Sequence, residues 1–340
     1  MHTSFLDEKF DARDKPISES SRKLYVRNLT KLNDNHPVTS FDFLKDPAII
    51  QAKLTPYKPT TQRSYLIAIC SAVKKHGDGE LHKTYYSLLQ AMNDALRSNP
   101  TKSDQQEANW MTQDAVNAVF AKQVAKVLPF LAPAAGPQRL GVRGAQTGLR
   151  QRQKLGKSQF KDLLHLMVLS LYTLQMPRRN IDYTLMRLST DQSDQSSNYL
   201  DLAQRKFVFN NYKTKGTYQS VEVEICDQLM DVIRLYLKHH PFAKKLKHKK
   251  HNVPFLVNYY GEPLMNSNDI TKILNRVFGK RVGSSLLRNI YLTSKYADVI
   301  EDLEEDAANM STSVDTALNH YIKRDRPLTE QSVDDAASKK

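Results

Sequence analysis

Residues 160–189 read FKDLLHLMVLSLYTLQMPRRNIDYTLMRLS, and this stretch decides how the second half of the chain is built. From Phe160 to Gln175 apolar residues fall on nearly every side of a helix, so no face is left for water. That pattern predicts a buried central helix with other elements packed around it. The apolar run Leu163–Leu174 carries His165 and is too short to span a bilayer. Pro177 predicts the end of the helix. Arg178 and Arg179 then stand where a new helix is expected to begin, with Asp182 three residues after Arg179. A helix N-terminus offers free N–H groups and partial positive charge, and two arginines would reinforce it as a place for phosphate. Asp182 is spaced to orient a guanidinium. Taken alone, an Arg-Arg-Asp cluster is a weak signal, because most such groups are surface salt bridges.

Downstream the periodicity changes. Leu200–Leu202, Lys206–Tyr212 and Tyr218–Ile225 are predicted as short strands, the last alternating as SVEVEI. Two of these strands flank Lys213-Thr214-Lys215-Gly216, so Lys213 is presented at a hairpin tip or shoulder. A lysine so placed can enter a DNA groove and reach a bridging oxygen, although hairpin lysines also serve as solvated edge protection. Helical pattern returns from about Asp227. In VGSSLLRNIYLTSKY (residues 282–296) Leu286, Leu287 and Ile290 form an apolar face with Arg288 among them. An arginine in such a run needs an anionic partner, either a structural carboxylate or a ligand phosphate. In NMSTSVDTALNHYIKRDR (residues 309–326) Ser311 or Ser313 is expected to cap a helix through Val314, Ala317, Leu318 and Tyr321. The fold class expected is mainly α with a small antiparallel β-sheet.

Upstream, residues 1–16 read as a polar tail and residues 17–98 as a small all-helical domain. Its clearest helix follows Pro59, with a Thr60/Thr61 cap and Leu66, Ile69, Cys70 and Val73 on one face. Leu24, Val26, Leu29 and Leu32 mark an earlier helix, and HKTYYSLLQAMNDALRS a later one. Residues 99–109 (NPTKSDQQEAN) are polar and read as a linker. Trp110, the only tryptophan, is read as a core anchor at the start of a domain over residues 110–325. Residues 131–158 are Gly-containing, basic and free of acids, which suits a flexible arm along a phosphate backbone or an insertion without a duty. Residues 326–340 read as a second polar tail.

Fifty Lys and Arg against 36 acids give a formal charge of +14. A charge of that size favours polyanions through counterion release, though a basic protein need not bind one. Cys70 and Cys226 are far apart in apolar surroundings, which argues against a disulfide framework and for a reducing compartment. MHTSFLDEKFDARDK lacks the apolar region of a secretory signal, so an intracellular protein is expected. KKLKHKKH (residues 244–251) is expected to be a solvated basic loop, with zinc binding and nuclear import as the alternatives. The acids Asp298, Glu301, Asp302, Glu304, Glu305 and Asp306 are expected to form a solvated helix face rather than a metal site. No metal and no cofactor are expected.

Together, the segments around Arg179, Lys213, Arg288 and Tyr321 resemble the catalytic boxes of the tyrosine recombinase (phage-integrase) family. The closest likeness is to the branch in large DNA viruses and Polinton-like mobile elements. The resemblance runs from about Trp110 to Lys323, leaving out the basic insertion; the Thr60–Gly77 helix looks more loosely like the family's core-binding domain. It implies a helical core-binding domain joined to a catalytic domain. Arg179 with Asp182 would match the first arginine and its acidic companion, with Arg178 as the alternative register. Lys213 would match the hairpin lysine, Arg288 the second arginine and Tyr321 the nucleophile. Ser285 stands where the family often has histidine three residues before the second arginine, and Thr312 where it has the histidine of Gly-His-Ser. Both can hydrogen-bond a phosphate oxygen, but neither is a base near neutral pH. The implied activity is DNA integration or recombination through a 3′-phosphotyrosine, on double-stranded DNA, as a homo-tetramer. It implies work at a host nucleus or a viral replication site. A type IB topoisomerase activity, or a recombinase-derived DNA-binding protein with impaired catalysis, would share these features.

Overall fold

The computed structural model describes residues 5–11, 16–74, 79–97, 102–131, 155–213 and 220–322. The chain divides into two compact units, residues 1–103 and 104–340, and the division falls inside the polar stretch read as a linker. That stretch is not all extended: Asp104–Asn109 forms a short helix. Among the described residues, no helix is long and apolar enough to cross a membrane.

The first unit is helical. It comprises α1 (Phe5–Asp11), α2 (Glu19–Leu32), α3 (Pro47–Leu54), α4 (Pro59–Val73) and α5 (Gly79–Arg97). Ser18 caps α2 by accepting from the Ser21 N–H at 3.2 Å. The α4 stripe of Leu66, Ile69, Cys70 and Val73 is buried, as its spacing requires. Its start differs from expectation. Pro59 occupies the first helical position with Lys58 as N-cap, so Thr60 and Thr61 lie inside the first turn. Proline's fixed φ suits that position and its missing N–H costs nothing there. Tyr85, fully buried, donates from its hydroxyl to the Leu44 carbonyl at 2.8 Å and ties α5 to the α2–α3 connection.

The second unit is mainly helical with a small five-stranded sheet. Its helices are α6 (Asp104–Asn109), α7 (Gln113–Leu131), α8 (Lys157–Thr173), α9 (Asn180–Tyr183), α10 (Asp227–Lys238), α11 (Ser267–Phe278), α12 (Ser284–Asn309) and α13 (Val314–Thr316). Helix α8 is the predicted central helix. Every residue from Leu163 to Tyr172 is buried, and α7, α10 and α11 pack around it. Both hydroxyls in that run have partners: Ser170 donates to the Leu166 carbonyl at 2.7 Å and Tyr172 to Asn180 Oδ1 at 2.6 Å. Trp110 packs against this core. The strands are β1 (Arg187–Ser189), β2 (Tyr199–Asp201), β3 (Lys206–Phe209), β4 (Val221–Glu224) and β5 (Asn252–Pro254), in the order β4-β3-β2-β1-β5.

Three expectations are corrected here. Part of the stretch read as a polar tail is folded: Leu6 and Phe10, four residues apart on one face of α1, are buried in the first unit's core. The sheet is mixed, not antiparallel throughout, because residues 190–198 carry the chain back so that β2 runs parallel to β1, with Arg187 opposite Tyr199. The other pairings are antiparallel. The ends of the segment read as a basic insertion belong to the folded unit: α7 extends to Leu131, and Leu155 is buried in the core. Residues 132–154, the body of that segment, lie outside the described residues.

Candidate functional site

Where α8 ends, the chain runs extended through Pro177 to Arg179, which is the N-cap of α9. This helix is a single turn, so it supplies little of the dipole expected for phosphate binding. It is nonetheless firmly placed. Tyr172 donates to Asn180 Oδ1 at 2.6 Å, and Asn180 Nδ2 donates to the Ser267 carbonyl at 3.0 Å and to Thr271 Oγ1 at 2.8 Å. The buried Asn180 therefore locks the arginine turn between α8 and α11.

The two arginines have different surroundings. Arg178 Nε donates to Asp182 Oδ2 at 2.9 Å, and its guanidinium lies over the Phe209 ring at 3.9 Å from the centroid and 5.6 Å from that of Tyr212. Arg179, half-buried, makes no side-chain hydrogen bond or ion pair among the described residues. Asp182 thus orients a guanidinium as expected, but that of Arg178. The Asp182 side chain is 2% exposed, and its Oδ1 has no partner among the described residues. Burial pushes its carboxyl above the ordinary range, outweighing the opposite pull of Arg178 and Arg179.

Arg288 projects from α12 between buried Leu287 and Ile290, and it too lacks an ion-pair partner among the described residues. Arg178, Arg179, Asp182 and Arg288 line one cavity of about 330 Å³, together with Tyr212 and Val223. Segments far apart in sequence thus place three guanidinium groups and one buried carboxylate around a single space. Three guanidinium groups against one carboxyl make this set electropositive, and guanidinium groups suit charge-assisted hydrogen bonds to an anion such as phosphate.

Lys213 is exposed, immediately after the cavity-lining Tyr212. Thr214 and the rest of the hairpin tip lie outside the described residues. The hairpin's root is fixed by Asn198, a buried residue that spacing did not single out. Its Nδ2 donates to the carbonyls of Asp182 and Asn211, both at 2.8 Å. Its Oδ1 accepts from the N–H groups of Asn210 at 2.9 Å and Asn211 at 2.7 Å. One side chain therefore joins the arginine turn to the strand end that carries Lys213.

Ser285, Thr312 and Tyr321 are not among the residues lining the cavity. Ser285 is exposed one turn before Arg288, and Thr312 is half-buried with its N–H donating to the Ala307 carbonyl at 2.9 Å. The helix expected through Tyr321 is present and Ser313 is its cap, but only its first turn, Val314–Thr316, is α. Ser311 takes a φ of +53°, and Ser313 caps the one-turn α13 by accepting from the Thr316 N–H at 3.1 Å. The chain then widens into a π turn over Ala317–Tyr321. Ala317 is buried, while Tyr321 is 59% exposed.

Among the described residues, no three His, Cys, Asp or Glu side chains converge as metal ligands. Lys244–Lys250 is largely exposed, and His251 Nδ1 bonds the His248 carbonyl at 3.1 Å. The acidic run lies along exposed turns of α12. Comparisons with protein-family models, with curated proteins and with solved structures find no match to this chain.

Proposed function

We propose that this chain breaks and rejoins double-stranded DNA as a tyrosine-type recombinase or integrase, with the first unit as its helical DNA-binding domain and the second as its catalytic domain. The observation that carries the reading is the convergence of Arg179 and Arg288 on one cavity, with neither guanidinium in an ion pair or side-chain hydrogen bond among the described residues. Two half-buried, unpaired arginines retained beside an apolar core favour an anion as the missing partner. The formal charge of +14 supports a polyanion as its source.

In this reading the scissile phosphate sits between Arg179 and Arg288. Their guanidinium groups neutralise the charge that grows on the non-bridging oxygens, worth roughly 3–4 kcal/mol for each well-placed donor. Tyr321 Oη attacks phosphorus in line, its phenolic proton passes to solvent, and the P–O bond to the 5′-oxygen breaks. Lys213 Nζ gives its proton to that departing oxygen. The 3′-phosphotyrosine conserves the bond energy, so attack by another strand's 5′-hydroxyl reverses the step and releases Tyr321. The reading requires the exposed Tyr321 to be brought to the cavity when DNA is bound, and a homo-tetramer on DNA as the exchanging assembly.

The position of Tyr321 outside the cavity, with Ser285 and Thr312 in place of histidines, favours one second reading: a DNA-binding protein of recombinase type with impaired cleavage. Nicked duplexes with a randomised centre, incubated with the full chain in EDTA, separate the two. A covalent protein–DNA adduct that disappears in Tyr321→Phe is the result expected of the recombinase. Retained duplex binding with no adduct would replace it with the binding reading.

A further inference from the structure

Of the 26 residues of α12, only Leu286, Leu287, Ile290 and Ala307 are buried. Between Ile290 and Ala307 the helix leaves the core, yet its sequence remains amphipathic. Leu292, Tyr296, Val299 and Leu303 follow at spacings of four, three and four, the heptad spacing of a helix-pairing seam. Leu292 is 49%, Tyr296 41% and Val299 61% exposed, with Ile300 beside them at 50%. Side chains of this type on one continuous stripe are the mark of a surface awaiting a second element.

The flanks say what that element is. Glu304 borders the stripe on one side and Asp302 and Asp306 on the other, with Asp298, Glu301 and Glu305 completing the back of the helix. Lys295 is the only base from Leu292 to Asp306, in a chain of formal charge +14. DNA and anionic lipid surfaces are repelled by such flanks. A second copy of the same face would set acid against acid. Residues 323–340 carry only Leu328 and Val333 as large apolar side chains, too few to fill the seam. The apolar faces of α4, α10 and α11 are already buried in the chain's own cores.

We propose that the Leu292–Tyr296–Val299–Leu303 face of α12 is a docking site for a basic amphipathic helix of a partner protein. The partner lays leucine-like side chains along the seam and lysine or arginine against the acidic flanks. The proposal does not depend on the catalytic reading, because none of these residues lines the arginine cavity.

The test uses the full chain and fluorescently labelled three-heptad peptides, with leucine at the a and d positions and either lysine or glutamate elsewhere. The lysine peptide is expected to bind saturably at one site. Val299→Asp is expected to weaken it by at least about tenfold, a loss of about 1.4 kcal/mol, with circular dichroism unchanged. Leu292→Asp serves as an independent apolar probe, and Glu304→Lys with Asp302→Lys tests the flanks. Equal binding to parent and Val299→Asp, no binding of the lysine peptide, or equally tight binding of the glutamate peptide would each overturn the proposal. Sedimentation adds a further outcome: self-association lost in Val299→Asp would name a second copy as the occupant and overturn the partner assignment.

Discussion

The Arg178 guanidinium lies 3.9 Å from the centre of the Phe209 ring while its Nε bonds the buried carboxylate of Asp182. Phe209 ends the strand that leads to Tyr212 and Lys213, so this contact joins the arginine turn to the hairpin. Arg178 is thereby occupied on two sides. Arg179, next in the chain, has an extended N-cap backbone (φ −71°, ψ 146°), and its side chain is left to the cavity. Two adjacent arginines therefore have different surroundings: one is tied into the scaffold, and the other lines the cavity without a hydrogen-bond partner among the described residues.

Arg178→Met keeps the aliphatic stem but strips Asp182 of its ion-pair partner inside the protein. The cost expected is about 2–3 kcal/mol of unfolding free energy, below the full penalty of a buried pair because Arg178 is 21% exposed. Adding Asp182→Asn to the same chain removes the stranded charge and is expected to restore part of that loss. Urea unfolding of the two single variants and the double variant measures both terms. A single-variant effect below about 0.5 kcal/mol would show that Arg178 is no strut.

Arg179→Ala and Arg288→Ala should behave oppositely to Arg178→Met. Neither removes a described partner, so each is expected to shift stability by no more than about 0.5 kcal/mol. If the cavity holds the scissile phosphate, each should slow adduct formation with nicked DNA by about 10²–10³-fold. The double variant should lose less than the product of the two, since both act on one phosphate. Stability and single-turnover adduct rates on the same preparations give the comparison.

How far the residues announced this arrangement depends on what each signal counts. The central helix was legible because Leu163–Tyr172 is apolar all round, a pattern that only burial explains. Strands β1 and β5 were not, because RLS and NVP are too short to show alternation. Spacing linked Asp182 to Arg179, yet the carboxylate meets Arg178, because spacing counts residues and not the direction in which an extended N-cap turns them. Tyr321 was placed by helical periodicity, which does not distinguish an α turn from the π turn that holds it exposed and outside the cavity lining. Asn198, in a loop of serines and aspartates, carried no signal at all; its importance lies in four hydrogen bonds made across distant segments.

The two cysteines predict a clear difference in reactivity. Cys70 is buried in the first unit's core, and burial pushes its thiol up to about 11. Cys226 is exposed at the start of α10, its Sγ 3.3 Å from the Leu174 carbonyl. Thiolate is the reactive form, so one thiol per native chain is expected to react promptly with a disulfide reagent, and the second only on unfolding. Cys226→Ser should abolish the fast phase and leave the slow one. Two fast thiols would contradict the burial of Cys70.

Acid should weaken the fold in a defined window. His165 and His240 are both buried, and burial brings each down to about 4, with Lys161 and Arg276 adding to the effect at His165. His240 has a partner on each nitrogen that suits the neutral ring. Nδ1 accepts from the Phe242 N–H at 3.2 Å, and Nε2 faces the Phe255 carbonyl at 3.1 Å as the donor. Their folded values lie below the unfolded value of 6.5, so the unfolded chain binds more protons as the pH falls. The stability they contribute is complete above pH 6.5 and is lost as the pH falls toward 4. Two such groups give a slope of up to about 2.7 kcal/mol per pH unit in that window. Asp182 has the opposite sign: burial raises its carboxyl, so the folded chain takes up that proton more readily as the pH falls, which offsets part of the loss. His240→Gln can keep both hydrogen bonds without titrating, so the slope should fall by about one proton, or roughly 1.4 kcal/mol per pH unit. Urea unfolding of both chains across this range reads the difference directly, and parallel pH profiles would rule His240 out as a source of the acid sensitivity.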